Sequence, residues 1–95
     1  MSTQEEINRA SAVFAALSHP TRIKILLITG ETKKPLHIKA VAKILKADYA
    51  GIYRHIEVLK KANLLEVYEV GRSRVLSPLH MDTINQIIQL TKELT

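Results

Sequence analysis

The sequence contains no cysteine. Disulfides, thiolate metal sites and cysteine nucleophiles are therefore excluded outright. No apolar run approaches the roughly 18 residues of a membrane span. The opening Met-Ser-Thr-Gln-Glu-Glu lacks the basic start and apolar core of a secretory leader. These absences point to the cytoplasm and to no membrane partner. No internal repeat or low-complexity tract interrupts the chain. It also has no glycine-rich phosphate loop, no nucleophile with a base at hand and no paired carboxylates, so neither an enzyme nor a cofactor is expected.

What is present fits one small domain. The 95 residues, 46% of them hydrophobic and 24% charged, leave no room for a second core and do not resemble a disordered chain. A domain this short buries a modest share of its surface, so a partner subunit would help its stability. The net charge of +5 is unevenly placed. Residues 33–74 carry ten Lys and Arg against four acids, and the remainder carries four against five. The excess therefore sits in the middle, which suggests a polyanion there and another task for the ends.

Residues 4–17 read as a helix with Ile7, Ala10, Phe14 and Leu17 on one stripe and Glu5 and Glu6 in its first turn. Ser18-His19-Pro20 ends it, with Pro20 opening a second helix to about Ile28 and Gly30 as its C-cap. That second helix is apolar almost all round, as a central helix is. Leu36 is read as a single extended residue. A third helix covers 38–45, with Ile38, Val41, Ala42 and Leu45 inward and Lys39, Lys43 and Lys46 toward the other side. After a short turn, Asp48 caps a fourth helix over 49–62, which Asn63 stops. Two short helices joined this way form a helix-turn-helix. Residues 64–77 read as a β-hairpin turning at Gly71-Arg72-Ser73, and Pro78 closes it. A last helix runs over 80–94. The fold class is mainly α with a small β-hairpin: five helices in the order α-α-α-α-β-β-α, a winged helix-turn-helix spanning 1–95 as one domain.

Two stretches resemble a known family. Leu17-Ser18-His19-Pro20-Thr21-Arg22-Ile23-Lys24-Ile25-Leu26 is similar to a helix boundary of ArsR-type, arsenical-repressor-like regulators. Ile52-Tyr53-Arg54-His55-Ile56-Glu57-Val58-Leu59-Lys60-Lys61-Ala62-Asn63-Leu64-Leu65 is similar to that family's recognition helix and its exit into the wing. The family usually has Ser where Tyr53 stands and Gly where Asn63 stands. The resemblance covers residues 12 to 77. It implies a homodimer built from the first and last helices, a recognition helix in the major groove of double-stranded DNA, and a wing on the backbone or minor groove. The interface then draws on Ile7, Ala10 and Phe14 from helix 4–17 and on Met81, Ile84, Ile87, Ile88 and Leu94 from helix 80–94. The family includes many metal sensors. Their cysteines are missing from helix three here, and His80 and Asp82 lack a second histidine, so no metal is expected.

Helical phase points Ala50, Tyr53, Arg54, Glu57 and Lys61 outward. Arg54 suits guanine, and Tyr53 suits phosphate or a thymine methyl. Tyr49, Ala50 and Gly51 start the helix where bases are met. Gly51 either lets DNA approach or relieves packing. Glu57 is read as a partner of Lys61 rather than of cytosine. Lys39, Lys43, Lys46, Lys61, Arg72 and Arg74 are candidates for DNA contact. His55 faces the core edge, with a hydrogen bond to backbone. The sequence thus reads as a dimeric regulator, a repressor, on a pseudo-palindromic operator, with helix 49–62 and wing 64–77 as its DNA face. Two rivals remain open: an architectural protein that coats DNA with little sequence preference, and a winged module that binds another protein. Any small-molecule effector stays unassigned.

Overall fold

The computed structural model describes residues 3–95, so Met1 and Ser2, though part of the domain assigned from sequence, lie outside the described residues. The element order is α1 (Gln4–Leu17), α2 (Pro20–Glu31), β1 (Leu36–His37), α3 (Ile38–Leu45), α4 (Tyr49–Lys61), β2 (Leu65–Val70), β3 (Ser73–Pro78) and α5 (Met81–Leu90), with a closing 3-10 turn, Thr91–Leu94. The winged helix-turn-helix arrangement expected from the sequence is present.

Local chemistry sets most boundaries. Thr3 caps α1 by accepting from the Glu6 N–H at 3.1 Å. His19 Nδ1 accepts from the Thr21 N–H at 3.2 Å, and Pro20 opens α2. The two helix axes bend by 85° there. Asp48 caps α4 by accepting from the Gly51 N–H at 3.2 Å. Helices α3 and α4 stop in the same way. Lys46 and Asn63 take left-handed conformations, with φ of 54° and 61°. The following N–H groups of Ala47 and Leu64 then reach back to the Ala42 and Leu59 carbonyls at 3.0 Å each. Replacing Asp48 by Ala removes the α4 cap. Stability should drop by about 1 kcal/mol, read as a lower urea midpoint at unchanged slope.

The sheet has three antiparallel strands in the order β1-β3-β2. Leu36 pairs with Leu76 and His37 with Val75, so the extended segment has two residues rather than one. In the wing, Glu69 faces Arg74 and Val70 faces Ser73. Gly71, at φ +63°, takes the first central position of that two-residue turn, where a type II′ hairpin needs it. Strand β3 extends through Pro78 instead of ending before it.

The core gathers Ile25 and Leu26 of α2, Val41 of α3, Ile52, Ile56 and Leu59 of α4, Leu65 and Leu76 of the hairpin, and Ile84 of α5. Helix α2 does lie at its centre. It runs on to Glu31, and Gly30 is inside it rather than capping it. A Cβ at Gly30 would lie 2.8 Å from the Met81 Cε, so the glycine admits the α5 side chain. The last helix is also divided. His80 is its left-handed N-cap, α5 ends at Leu90, and Thr91–Leu94 tightens into the 3-10 turn.

Candidate nucleic-acid interface

The elements that meet at the N-terminal end of α4 bring several cations together. Lys39 at the start of α3, Tyr49 at the start of α4, and Arg72 and Arg74 of the wing line one cleft of about 760 Å³. His37, Ile38, Ala40 and Ser73 complete its walls. The wing is folded back beside α4 by its pairing with β1, which leads directly into α3. This places the wing arginines next to α3 and α4 despite their distance in sequence.

Lys39, Lys43, Lys46, Tyr49, Ala50, Arg54, Lys61, Arg72 and Arg74 are all exposed. The cleft gathers Lys39, Tyr49, Arg72 and Arg74; Lys43, Lys46 and Lys61 lie outside it. Gly51 is half-buried, and its backbone supplies the capped N–H. A Cβ there would stand 2.8 Å from Asp48 Oδ1, so this glycine makes room for the cap carboxylate. Tyr53 is not freely outward. It is half-buried and packs on the core, and the Arg74 guanidinium lies 5.6 Å from its ring centroid. The Tyr53 oxygen also favours the charged form of Arg74, pushing its pKa up from an already high value. Glu57 shares a second, smaller cleft with Lys60, Glu69 and Arg74.

A polar tie beneath this face was not legible in the sequence. Arg22 Nε donates to His55 Nδ1 at 3.2 Å. Its Nη1 donates to the carbonyls of Ala15 at 3.1 Å and Ala16 at 3.3 Å, at the end of α1. The His19 and His55 rings pack with centroids 4.4 Å apart. One arginine thus joins α1, α2 and the recognition helix. The partner of His55 is a side chain, not the backbone expected from the sequence, because α2 crosses α4 at this point.

Burial, with His19, Arg22 and Arg54 nearby, lowers the His55 pKa from 6.5. Protonation would convert the Nδ1 acceptor into a donor facing a permanent cation. A histidine whose folded pKa is depressed contributes stability in full above about 6.5, and that contribution is lost as pH falls through the folded value. The melting temperature should therefore fall on acidification below that pH. In a His55→Asn protein the amide oxygen still accepts from Arg22 but does not titrate, so its fall should be shallower.

The terminal helices present a different surface. Helix α1 buries only Ala16, while Ile7 is 51% and Phe14 60% exposed. Phe14, Leu17, Ile23, Ile84, Ile87, Ile88, Thr91 and Leu94 line an apolar groove of about 390 Å³ between α1, α2 and α5. Of the residues expected on a dimer face, Ile84 lies inward and Met81 is half-buried. Ile84, 2% exposed, belongs to the chain's own core, and Met81 packs over Gly30. The α5 turn that carries them docks on α2, which leaves the outer role to its other residues. Among the described residues no three metal-ligating side chains come together. Nor is any single helix among the described residues long and apolar enough to cross a membrane.

Known proteins share this arrangement. A homodimeric winged helix-turn-helix DNA-binding domain from Mycobacterium bovis, described as a possible ArsR-family transcriptional regulator, superposes with a TM-score of 0.78. The identity is 17%, over 98% of this chain and 91% of that one. An ArsR-like transcriptional regulator from Rhodococcus gives 0.76 at 25% identity, over 96% and 82%. An uncharacterized HTH-type transcriptional regulator of Methanocaldococcus jannaschii is 29% identical, over 95% of this chain and 99% of its own length. The architecture that this chain shares with them is the winged helix-turn-helix, and each of the three is described as a transcriptional regulator or a possible one. A family model described as a helix-turn-helix domain matches residues 17–68, more than half of the chain. The chain belongs to this helix-turn-helix family.

Proposed function

We propose that two copies of this chain bind a pseudo-palindromic operator and repress transcription by occupying it. The observation that carries the reading is the cleft where Lys39, Tyr49, Arg72 and Arg74 converge beside the first turn of α4. It puts phosphate-binding cations from α3 and the wing around the helix end that meets base edges. Arg54 then reaches guanine in the major groove, and Lys43, Lys46 and Lys61 serve flanking phosphates. Ala50 and the Gly51 backbone let the start of α4 approach closely. The site is read in the cytoplasm.

The dimer joins Ile7, Ala10 and Phe14 to Ile87, Ile88 and Leu94 across the apolar groove. Ile84 and Met81 support that face from beneath. The radius of gyration, 14.1 Å, supports this reading, since a compact domain of this length has about 12 Å. The terminal helices stand out from the core as elements that await a partner. The homodimeric Mycobacterium bovis domain gives the same support by analogy. Two-fold symmetry sets the recognition helices one DNA turn apart, about 34–36 Å.

Electrophoretic shift on genomic fragments, with competitor DNA at two salt concentrations, tests the proposal. A few fragments should be retained, and affinity should fall steeply with salt as counterions are released. Equal affinity for every duplex would favour the coating protein. No affinity for any duplex would favour the protein-binding module.

A further inference from the structure

The DNA-facing end of α4 is not uniformly basic. Tyr49, Ala50, Tyr53 and Arg54 enclose a shallow hollow of about 370 Å³. Its walls are two phenol rings, whose centroids lie 6.3 Å apart with planes at 22°, and the methyl group of Ala50. Tyr53 is held from behind by the core and by Arg74, so its ring is set before anything binds. Tyr49 is 43% exposed. An apolar hollow open to water is out of place among Lys39, Arg54, Arg72 and Arg74, unless what those cations attract also carries an apolar group. Duplex DNA offers one such group in its major groove, the C5-methyl of thymine; the other base-edge groups there are hydrogen-bond donors and acceptors.

We propose that the hollow formed by Tyr49, Ala50 and Tyr53 reads thymine through its C5-methyl group. The inference rests on the regulator reading and adds a base preference to it. Each half-site then carries thymine where the first turns of α4 meet the groove, beside the base that Arg54 contacts. The rings supply contact area at low entropic cost, because Tyr53 is already fixed and Tyr49 stacks on it.

The test uses the full chain and duplexes that it selects from a random pool. In each half-site the thymines are replaced one at a time by deoxyuridine, which pairs identically with adenine and lacks only the methyl. Burying one methyl corresponds to about a fourfold gain in affinity, so one substitution should weaken binding about fourfold and the symmetric pair about fifteenfold. In a Tyr49→Ala protein, which loses an exposed ring, the same substitution should cost less than about twofold.

Equal binding of the thymine and deoxyuridine duplexes overturns the inference and leaves the regulator reading standing. So does a selected half-site without thymine. A deoxyuridine penalty that Tyr49→Ala leaves unchanged assigns the methyl to another surface and overturns it too. A pool that yields no preferred sequence overturns the sequence-specific reading itself.

Discussion

A Phe14→Glu protein should sediment as a single chain, and its operator affinity should fall by about a hundredfold or more. Phe14 is 60% exposed in the chain, so the substitution removes little from the chain's own core. Its cost appears on association. A two-fold interface places the same residue on both partners, so two carboxylates would be buried without a partner charge. Monomers then bind half-sites separately, and the gain from linking two recognition helices is lost. The helical content should stay unchanged, which separates dissociation from unfolding. A Phe14→Glu protein that remains a dimer would place the interface elsewhere.

Arg54→Ala should have the other large effect. Arg54 is exposed on α4, beside the Tyr49–Tyr53 hollow and away from the core. A bidentate arginine–guanine pair is worth about 1–3 kcal/mol of discrimination. Both protomers lose it together, so operator affinity should fall from about thirtyfold upward, while affinity for unrelated duplexes changes little. An equal loss on every duplex would mean that Arg54 serves a phosphate rather than a base. The contrast with the wing is useful, because Arg72→Ala should lower binding to all duplexes and flatten its salt dependence.

The recognition helix was readable within one residue because its ends are chemical. Asp48 is a side-chain cap and Asn63 a left-handed stop, and both act within four residues. The end of α2 was not readable for the opposite reason. Gly30 looks like a terminator, yet it is there for Met81, fifty-one positions away. Local rules cannot separate a capping glycine from one that admits a neighbouring helix.

The basic character of the interface was legible from charge placement. Its shape was not. The convergence of Lys39 with Arg72 and Arg74 depends on the pairing of β1 with β3, and two extended residues leave almost no periodic signal. Helical phase pointed Tyr53 outward, but phase ignores the hairpin that folds back and sets Arg74 over the ring. The Arg22–His55 contact joins residues thirty-three positions apart, through a crossing of α2 and α4 that no single helix pattern contains. The apolar stripes of the terminal helices were plain in the sequence. Only packing shows that Ile84 faces inward while Phe14 and Leu94 do not.

In the proposed dimer, two copies of α4 read one operator. Hydroxyl-radical footprinting of the full chain on a retained genomic fragment tests this. Two symmetric protected segments, centred about one helical turn apart, are predicted. A single protected segment, or protection that spreads evenly along the fragment, would contradict it.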